Sequence, residues 1–311
     1  MSITVVGSVA FDTVETPAGR IDRTLAGAAT YFSLAASYFT DVRVIAVVGE
    51  DFTEREETVF AARGIDTRGI ERAPGKSFFW QGSYMENLNE AKTLQTDLNV
   101  FASFEPKIPE AYQDSEFLFL ANIDPVLQRR VRDAMPQAKL VGGDTMNYWI
   151  NDHRGNLLKM LEAVDILLIN DTETKLLAGH KNPVKAAADV LKMGPKALVV
   201  KHGEYGATAF FGDGAFPLSG LDKHHPFRAP ALPLDEVVDP TGAGDSFAGG
   251  FFGYLASQPE LTPAVFRRAM FYGGVMGSFT VERFGPERLT QLTREEIEER
   301  FKLFRSLTHL D

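Results

Sequence analysis

Short apolar runs alternate with amphipathic stretches along most of this chain of 311 residues. The apolar runs are residues 3–6, 42–48, 116–121, 139–141, 165–169 and 196–200, and the amphipathic stretches between them include 53–62, 125–134, 155–163 and 183–192. Buried strands that alternate with helices predict an α/β fold with a mostly parallel central sheet flanked by helices on both faces. Because ligands bind such sheets at the carboxyl ends of the strands, residues that directly follow an apolar run are candidates for function.

Two segments interrupt this alternation, residues 12–24 and 75–101, and both have the pattern of antiparallel hairpins. We expect them to form a small separate β-sheet, a lid over the active site of a single domain of residues 1–311. Residues 205–218 predict a further surface hairpin that turns at Gly212-Asp213-Gly214. The charged segment 294–307 predicts an amphipathic helix on the surface.

The composition excludes several classes of function. The formal net charge of −10 argues against nucleic acids and anionic membranes as main partners. The chain has no cysteine, which excludes disulfides, thiolate nucleophiles and cysteine-ligated metals. It opens directly with a strand pattern instead of a signal peptide, and none of its apolar runs has the length of a membrane helix. We therefore expect a cytoplasmic protein.

The most informative segment is Asp239-Pro240-Thr241-Gly242-Ala243-Gly244-Asp245, which leads into a segment of small apolar residues. Gly242 and Gly244 keep side chains away from the start of the predicted helix, so its first N–H groups can approach an anion, which the helix dipole also favours. Asp245 places a carboxylate beside this anion site, where it could accept the proton of a hydroxyl group that attacks a phosphoryl group. The alternative is a glycine turn that closes a helix, with Asp245 as a favourable first-turn acid.

This segment resembles the C-terminal signature of the ribokinase-like (PfkB) family of carbohydrate and nucleoside kinases. The G-x-x-x-x-D pattern that ends at Asp12 resembles the N-terminal motif of the family, whose aspartate binds the sugar, although an aspartate here would also suit a turn. Residues 25–35 are similar to the family's G-G-x-x-x-N-x-A segment, but Ala26 replaces its first glycine and Tyr31 replaces its substrate-contacting asparagine. The resemblance implies that Asp12, Gly27 and Tyr31 bind the substrate.

Two further strand ends resemble motifs on the nucleotide side of that family. Asn170-Asp171-Thr172-Glu173 is similar to its N-x-x-E motif, which implies that the first and last of these residues order the hydration shell of Mg²⁺, and they would also form a good helix start. Lys201-His202-Gly203-Glu204-Tyr205-Gly206 resembles its nucleotide loop, and the alternative is a tight surface turn. The residues thereby implied to bind the nucleotide are Asn170, Glu173, Lys201, Gly203, Gly206 and Thr241.

A looser similarity follows the apolar run 139–141. Gly143-Asp144-Thr145-Met146-Asn147 carries a D-x-x-N pattern that is one residue longer than the family's D-x-N element. Asp144 is therefore a candidate for substrate binding, with an ordinary helix cap as the alternative.

The resemblance implies a ribokinase-like fold and transfer of the γ-phosphoryl group of ATP to a hydroxyl or hydroxymethyl group of a small sugar or polyol. In this scheme Asp245 is the base, and the N–H groups of Gly242, Ala243 and Gly244 stabilise charge on the phosphoryl group. Mg²⁺ accompanies the nucleotide, with Asn170 and Glu173 acting through water. A monovalent cation near Asp239 is a further expectation.

Other hypotheses remain open at this point. A nucleoside kinase of the same family, of the adenosine kinase type, is the first alternative, because several aromatic residues could stack on a base. These residues are Phe11, Tyr31, Phe78, Phe79, Trp80 and Tyr84. Those in the lid segments could equally form the lid's own core, or a homodimer contact between two lids. A nucleotide-binding regulator without catalysis is the third hypothesis, and the presence of Asp245 argues against it.

Overall fold

A sheet of nine strands runs through the computed structural model, which describes residues 1–212 and 226–308. The strands of the described residues are β1 (Ser2–Val6), β2 (Ala10–Thr16), β3 (Gly19–Ala26), β4 (Asp41–Val48), β5 (Asp66–Arg72), β6 (Phe78–Ser83), β7 (Lys92–Asp97), β8 (Phe117–Leu120), β9 (Leu140–Gly143), β10 (Ile166–Asn170), β11 (Ala197–Lys201), β12 (Ala207–Phe211) and β13 (Phe227–Ala229). The large sheet has the order β13-β12-β11-β10-β9-β8-β1-β4-β5, and only β12 and β13 run antiparallel to their neighbours. The mostly parallel sheet predicted from the sequence is confirmed.

Helices cover both faces of this sheet. They are α1 (Ala28–Ala36), α2 (Glu54–Ala61), α3 (Pro125–Ala134), α4 (Asn147–Asp152), α5 (Arg154–Leu161), α6 (Asp171–Ala178), α7 (Pro183–Leu191), α8 (Ala243–Ala256), α9 (Pro263–Thr280), α10 (Glu287–Gln291) and α11 (Arg294–Ser306). Successive residues of a strand point into two different hydrophobic cores: Ile166 and Leu168 of β10 join the core with α1, α8 and α9, while Leu167 and Ile169 join the core with α3, α5 and α7. Burial on both faces explains why these strands are short continuous apolar runs.

Local capping signals set the ends of several helices. The side chain of Asp124 accepts a hydrogen bond from the N–H group of Val126, and Pro125 occupies the first turn of α3, so this helix spans the predicted residues 125–134. Thr53 with Glu56, and Thr293 with Glu296, form reciprocal capping boxes at the starts of α2 and α11. Such signals lie next to each other in the chain, which is why the pattern of residues is enough to find them.

The remaining strands, β2, β3, β6 and β7, form a separate sheet of four strands, which we call the lid sheet. The expected hairpins are present as β2–β3 and β6–β7, but β2 and β6 pair in parallel. Both β1 and β5, which precede these hairpins, run in the same direction in the large sheet, so β2 and β6 leave it in the same direction. The lid sheet rests on the main body, because Thr16 Oγ1 donates a hydrogen bond of 2.7 Å to the carbonyl of Val238.

Some elements depart from the sequence pattern. The edge strand β5 is largely polar and partly exposed, so it lacks the apolar run of the central strands. Helix α9 is rich in small residues and buried on much of its surface, which obscures its periodicity. In the predicted hairpin 205–218, β12 is confirmed as a strand, while the turn at Gly212-Asp213-Gly214 extends beyond the described residues. Within the described parts of the chain, no helix has both the length and the apolar character required to cross a membrane.

Candidate active site

The carboxyl ends of three neighbouring strands meet the start of helix α8 at one edge of the large sheet. Asp144 directly follows β9, Asn170 ends β10 and Lys201 ends β11. A Cβ atom placed on Gly244, in the first turn of α8, would lie 2.9 Å from the Nζ atom of Lys201. Strand ends that are separated in the sequence thus assemble around the segment from Asp239 to Asp245.

Two glycines permit the close approach of this segment to its neighbours. Gly242 precedes helix α8 with a φ of +74°, a left-handed conformation that favours glycine. A Cβ atom at Gly242 would also lie 2.3 Å from the ring of Tyr31. The loop is fixed by the buried Asp239, whose two carboxylate oxygens accept hydrogen bonds from the N–H groups of Thr241 at 2.9 Å and of Gly285 at 3.0 Å.

The N–H groups of this loop are not all free to bind an anion. The N–H group of Ala243, expected from the sequence to stabilise the phosphoryl group, donates to the carbonyl of Pro240 at 3.2 Å, because the chain forms a tight turn there. The N–H groups of Gly242 and Gly244 have no acceptor among the described residues. The geometry therefore favours Gly242 and Gly244, rather than Ala243, as donors to an anion.

Four ionisable side chains lie beside this loop: Asp144, Glu173, Lys201 and Asp245. The Nζ atom of Lys201 is 3.7 Å from Oδ2 of Asp144, and both side chains are largely buried. Burial, with a further contribution from the charge of Asp144, raises the pKa of Asp245 to about 7, although Lys201 opposes this shift. Burial would lower the pKa of Lys201, but the three carboxylates outweigh it and raise that pKa. An aspartate that titrates near neutral pH beside two N–H donors is equipped to accept a proton.

Asn170 and Glu173 form a capping box at the start of helix α6. The Oδ1 atom of Asn170 accepts the N–H group of Glu173 at 2.7 Å, and Oε2 of Glu173 accepts the N–H group of Asn170 at 2.8 Å. Burial, and then the charge of Asp144, raises the pKa of Glu173 to about 7. Within residues 1–212 and 226–308, no group of three or more acidic or histidine side chains is arranged to hold a metal ion directly. The oxygens of Asn170 and Glu173 fit contact with a hydrated Mg²⁺ ion through its waters.

Asp12 lies on β2 of the lid sheet and faces the same region. Its carboxyl group is buried and accepts no hydrogen bond from the described residues. Burial, followed by the charges of Asp239 and Asp245, raises its pKa well above the usual range. A buried carboxyl without a donor carries a desolvation cost, which hydroxyl groups of a ligand would offset.

Tyr31 lies between Asp12 and the glycine loop, and it is almost completely enclosed. Its side chain is 1 % exposed, and the ring packs against Gly242 rather than lining an open pocket. Its hydroxyl group is buried and has no hydrogen-bond partner within residues 1–212 and 226–308. Tyr31 therefore supports the shape of the loop from Asp239 to Asp245.

Unpartnered buried polar atoms concentrate in this region. Besides that of Tyr31, the hydroxyl groups of Thr145 and Ser246 have no hydrogen-bond partner in the described parts of the chain, and these two residues directly follow Asp144 and Asp245. Since buried polar groups are normally paired in folded proteins, this concentration indicates a ligand site. The sequence reasoning did not identify Thr145 or Ser246, which lacked any signal except their position beside the two aspartates.

Gln128 of α3 is a further residue that the sequence reasoning missed. Its side-chain amide is fully buried and donates to the carbonyls of Leu120, Ala121 and Asp144 at distances of 3.0, 2.9 and 2.9 Å. It therefore links the carboxyl ends of β8 and β9 through the backbone on either side, including that of Asp144. The available signal was a glutamine on the apolar face of the amphipathic stretch 125–134.

The other glycines proposed for the site occupy positions that only glycine fits. Gly27 has a φ of +102°, and a Cβ atom there would lie 2.4 Å from the carbonyl oxygen of Ser8. Gly206, with a φ of +90°, would place its Cβ atom 2.1 Å from the carbonyl oxygen of Ala229. Gly27 thus shapes the start of α1, and Gly206 shapes the loop after β11.

Most of the aromatic residues near the lid are engaged in packing. Phe78 stacks on Phe101 with ring centroids 5.4 Å apart, and the guanidinium group of Arg23 lies 3.8 Å above the ring of Phe11. Trp80 covers Gly82, where a Cβ atom would lie 2.0 Å from the indole ring. Tyr84 is different, because burial raises its pKa to about 12 and the neighbouring charges are those of Asp239, Asp12 and Asp245. Tyr84 thus lies close to the site.

Comparisons with known proteins show which family and which folds this chain resembles. The model of the family described as pfkB family carbohydrate kinase matches residues 2–291. A cytidine kinase of Thermococcus kodakarensis is 30 % identical over 268 residues, which cover 83 % of this chain and 90 % of that protein. A nucleoside kinase of Burkholderia thailandensis, solved with inosine, has a similar fold, with a TM-score of 0.76 and 20 % identity over 98 % of this chain and 99 % of the other. An Escherichia coli protein assigned as a ribokinase II and solved with ATP and Mg²⁺ also has a similar fold. Its TM-score is 0.77, with 20 % identity over 97 % of this chain and 99 % of the other.

Proposed function

Because this chain belongs to the pfkB family of carbohydrate kinases and is an ATP-dependent phosphotransferase with an alcohol group as acceptor, we propose that it phosphorylates the hydroxymethyl group of a nucleoside. The observation that carries this proposal is the buried Asp12, whose carboxyl group has no donor among the described residues and lies within the electrostatic influence of Asp245. Two carboxyl groups so placed suit an acceptor with a diol at one end and a reactive hydroxyl group at the other.

A ribose ring meets this requirement. The oxygens of Asp12 accept hydrogen bonds from two neighbouring hydroxyl groups of the ring, and the hydroxymethyl group on its far side reaches Asp245. Free sugars and polyols share this diol, so the sugar or polyol acceptor favoured by the sequence alone remains the second candidate. The cytidine kinase among the relatives, which matches over most of both chains, supports an acceptor that also carries a base.

Each role in the proposed phosphoryl transfer is assigned to particular residues of this chain. Asp245 accepts the proton of the attacking hydroxyl group, and the N–H groups of Gly242 and Gly244 with the ammonium group of Lys201 stabilise negative charge on the transferred phosphoryl group. Mg²⁺, held through water by Asn170 and Glu173, supplies charge neutralisation on the nucleotide phosphates when it is bound. Gly203, Gly206 and Thr241 contact the nucleotide, and Asp239 supports a monovalent cation beside the loop.

An acceptor panel tests this function. Values of kcat/KM are measured for cytidine, adenosine, ribose, fructose and myo-inositol with ATP and Mg²⁺, in the wild type and in Asp12→Asn and Tyr31→Asn. We expect a nucleoside to be the best acceptor, and Asp12→Asn to raise its KM because an amide accepts fewer hydrogen bonds from a diol than a carboxylate does. Tyr31→Asn removes the ring that supports Gly242, so it should lower kcat for every acceptor.

Two results would contradict the proposal. If ribose, fructose or myo-inositol is the best acceptor, the acceptor is a sugar or polyol. If Asp12→Asn lowers kcat/KM for all acceptors and the rate of ATP hydrolysis without an acceptor by the same factor, Asp12 does not hold the diol.

A further inference from the structure

A segment of the lid sheet reaches beyond the acceptor region to the loop that follows β11. Residues 84–91 connect β6 to β7, and we call them the lid arm. The Nδ2 atom of Asn89 in this arm donates a hydrogen bond of 2.6 Å to Oε2 of Glu204. Glu204 lies between Gly203 and Gly206, so the arm is joined directly to the loop proposed to bind the nucleotide.

Gly203 makes room for this contact. It has a φ of +56°, and a Cβ atom there would lie 2.2 Å from Oδ1 of Asn89. A hydrogen bond within the arm fixes the backbone at Asn89. The side chain of Asn87 accepts it from the N–H group of Asn89 at 2.9 Å. The amide of Asn89 therefore occupies the space that any larger residue at position 203 would fill.

The other end of the arm begins at the acceptor region. The N–H group of Tyr84 donates to the carbonyl of Glu15 on β2 at 2.8 Å, which holds the start of the arm against the strand that carries Asp12. Burial, and then the charges of Asp239, Asp12 and Asp245, raises the pKa of the Tyr84 phenol group, which places this group near these carboxylates. One segment of eight residues, 84–91, thus spans from the acceptor carboxylates to the nucleotide loop.

From this geometry we propose that the lid arm couples the two substrate sites, with Asn89 as a positioning residue. Acceptor binding at Asp12 holds the lid sheet over the site, and the Asn89–Glu204 contact then holds the loop from Gly203 to Gly206 in its nucleotide-binding conformation. Because coupling between two binding sites is reciprocal, the nucleotide strengthens acceptor binding by the same factor. This inference rests on the proposed function for the identity of the acceptor, but not for the contact itself.

The first experiment measures the affinity for MgADP by calorimetry, with and without saturating cytidine. In the wild type, cytidine is expected to lower the Kd of MgADP about fivefold, at the small end of usual coupling factors because the contact is exposed to solvent. Asn89→Ala and Glu204→Ala should each reduce this factor below about twofold, and the double variant should show no further loss. Gln95→Ala, which removes an exposed amide elsewhere on the lid sheet, is the matched control and should retain the wild-type factor.

A second measurement does not require the acceptor to be a nucleoside. Trp80 lies on the lid sheet and Trp149 on α4, and they are the two tryptophans of the chain, so in a Trp149→Phe background the fluorescence reports on the lid sheet alone. MgADP alone should change the Trp80 emission in this background and should not change it once Asn89→Ala is added.

The results separate the inference from the proposed function. If cytidine fails to bind while MgADP changes the Trp80 emission only when Asn89 is present, the nucleoside assignment is wrong and the coupling is supported. If Asn89→Ala leaves both the cytidine effect and the emission change as in the wild type, the arm does not couple the sites. An absence of any emission change with MgADP in the background variant would also overturn the inference.

Discussion

Replacement of Asp245 by asparagine tests the central chemical role. The substitution keeps the size of the side chain and removes its ability to accept a proton. General-base catalysis contributes about 10²- to 10⁴-fold, or roughly 3–5 kcal/mol of barrier. We therefore expect kcat of Asp245→Asn to fall by a factor in this range, while the Kd of MgADP changes by less than about threefold.

The raised pKa of Asp245 adds a dependence on pH. Since burial and the charge of Asp144 raise that pKa to about 7, the wild-type carboxylate is about half ionised at pH 7 and nearly fully ionised at pH 8.5. Wild-type kcat/KM should therefore rise between pH 6 and 8 and then level off. The residual activity of Asp245→Asn should lack this rise.

Thermal unfolding provides the control for a structural defect. A carboxyl group whose pKa is raised on folding lowers the free energy of unfolding as pH rises from its unfolded pKa, near 4, to its folded pKa. Above the folded pKa this loss of stability is complete and persists. Asparagine carries no such cost, so at pH 8 the Tm of Asp245→Asn should equal or exceed that of the wild type. A variant that folds with this Tm and keeps kcat within tenfold of the wild type at pH 8 would refute the assignment of Asp245 as the base.

Two further predictions concern the charges around Asp245. Because Lys201 lowers the pKa of Asp245, Lys201→Met should shift the pH profile of kcat/KM to higher pH than in the wild type. Because Asp144 raises that pKa, Asp144→Asn should shift the profile to lower pH. Shifts in the same direction would contradict this electrostatic arrangement. Glu173→Gln keeps an oxygen that can accept the N–H group of Asn170 but removes a charge, so it should raise the Mg²⁺ concentration for half-maximal activity without lowering Tm. Superimposable Mg²⁺ titrations would identify Glu173 as a capping residue only.

Structural features that depend on residues close together in the chain can be predicted from the sequence. Helix α3 was predicted with its observed ends because Asp124, Pro125 and an amphipathic pattern lie together in the chain. Asp144, Asn170 and Lys201 were suggested by their likeness to family motifs. Their position supports this, because each follows an apolar run of the sequence and parallel strands bring their ends to one edge. The resemblance contributed Asp12 and supported Asp245, which lie on β2 of the lid sheet and on helix α8, and no local pattern predicts that these two elements meet.

The remaining features depend on contacts between distant parts of the chain. Tyr31 was expected to offer a flat face to the acceptor, but its ring fills the space beside Gly242, which becomes visible only when α1 packs against α8. The use of the Ala243 N–H group by Pro240 depends on the conformation of the turn, and the Asn89–Glu204 contact depends on the path of the lid arm. Spacing along the sequence carries no information about these approaches.

The charges at the site predict that phosphoryl transfer by this chain requires a cation with the nucleotide. Among the described residues, the carboxylates of Asp144, Glu173 and Asp245 surround the ammonium group of Lys201. Burial raises the pKa of all three carboxyl groups, and the charge of a neighbouring carboxylate adds to this shift for Glu173 and Asp245. A polyphosphate that approaches the N–H groups of Gly242 and Gly244 meets repulsion from the same carboxylates. The repulsion is relieved either by protonation, which disables Asp245 as a base, or by a divalent cation between the two sets of negative groups. Only the second solution would leave Asp245 ionised and able to accept a proton, so if Asp245 is the base, we expect the activity to depend on Mg²⁺.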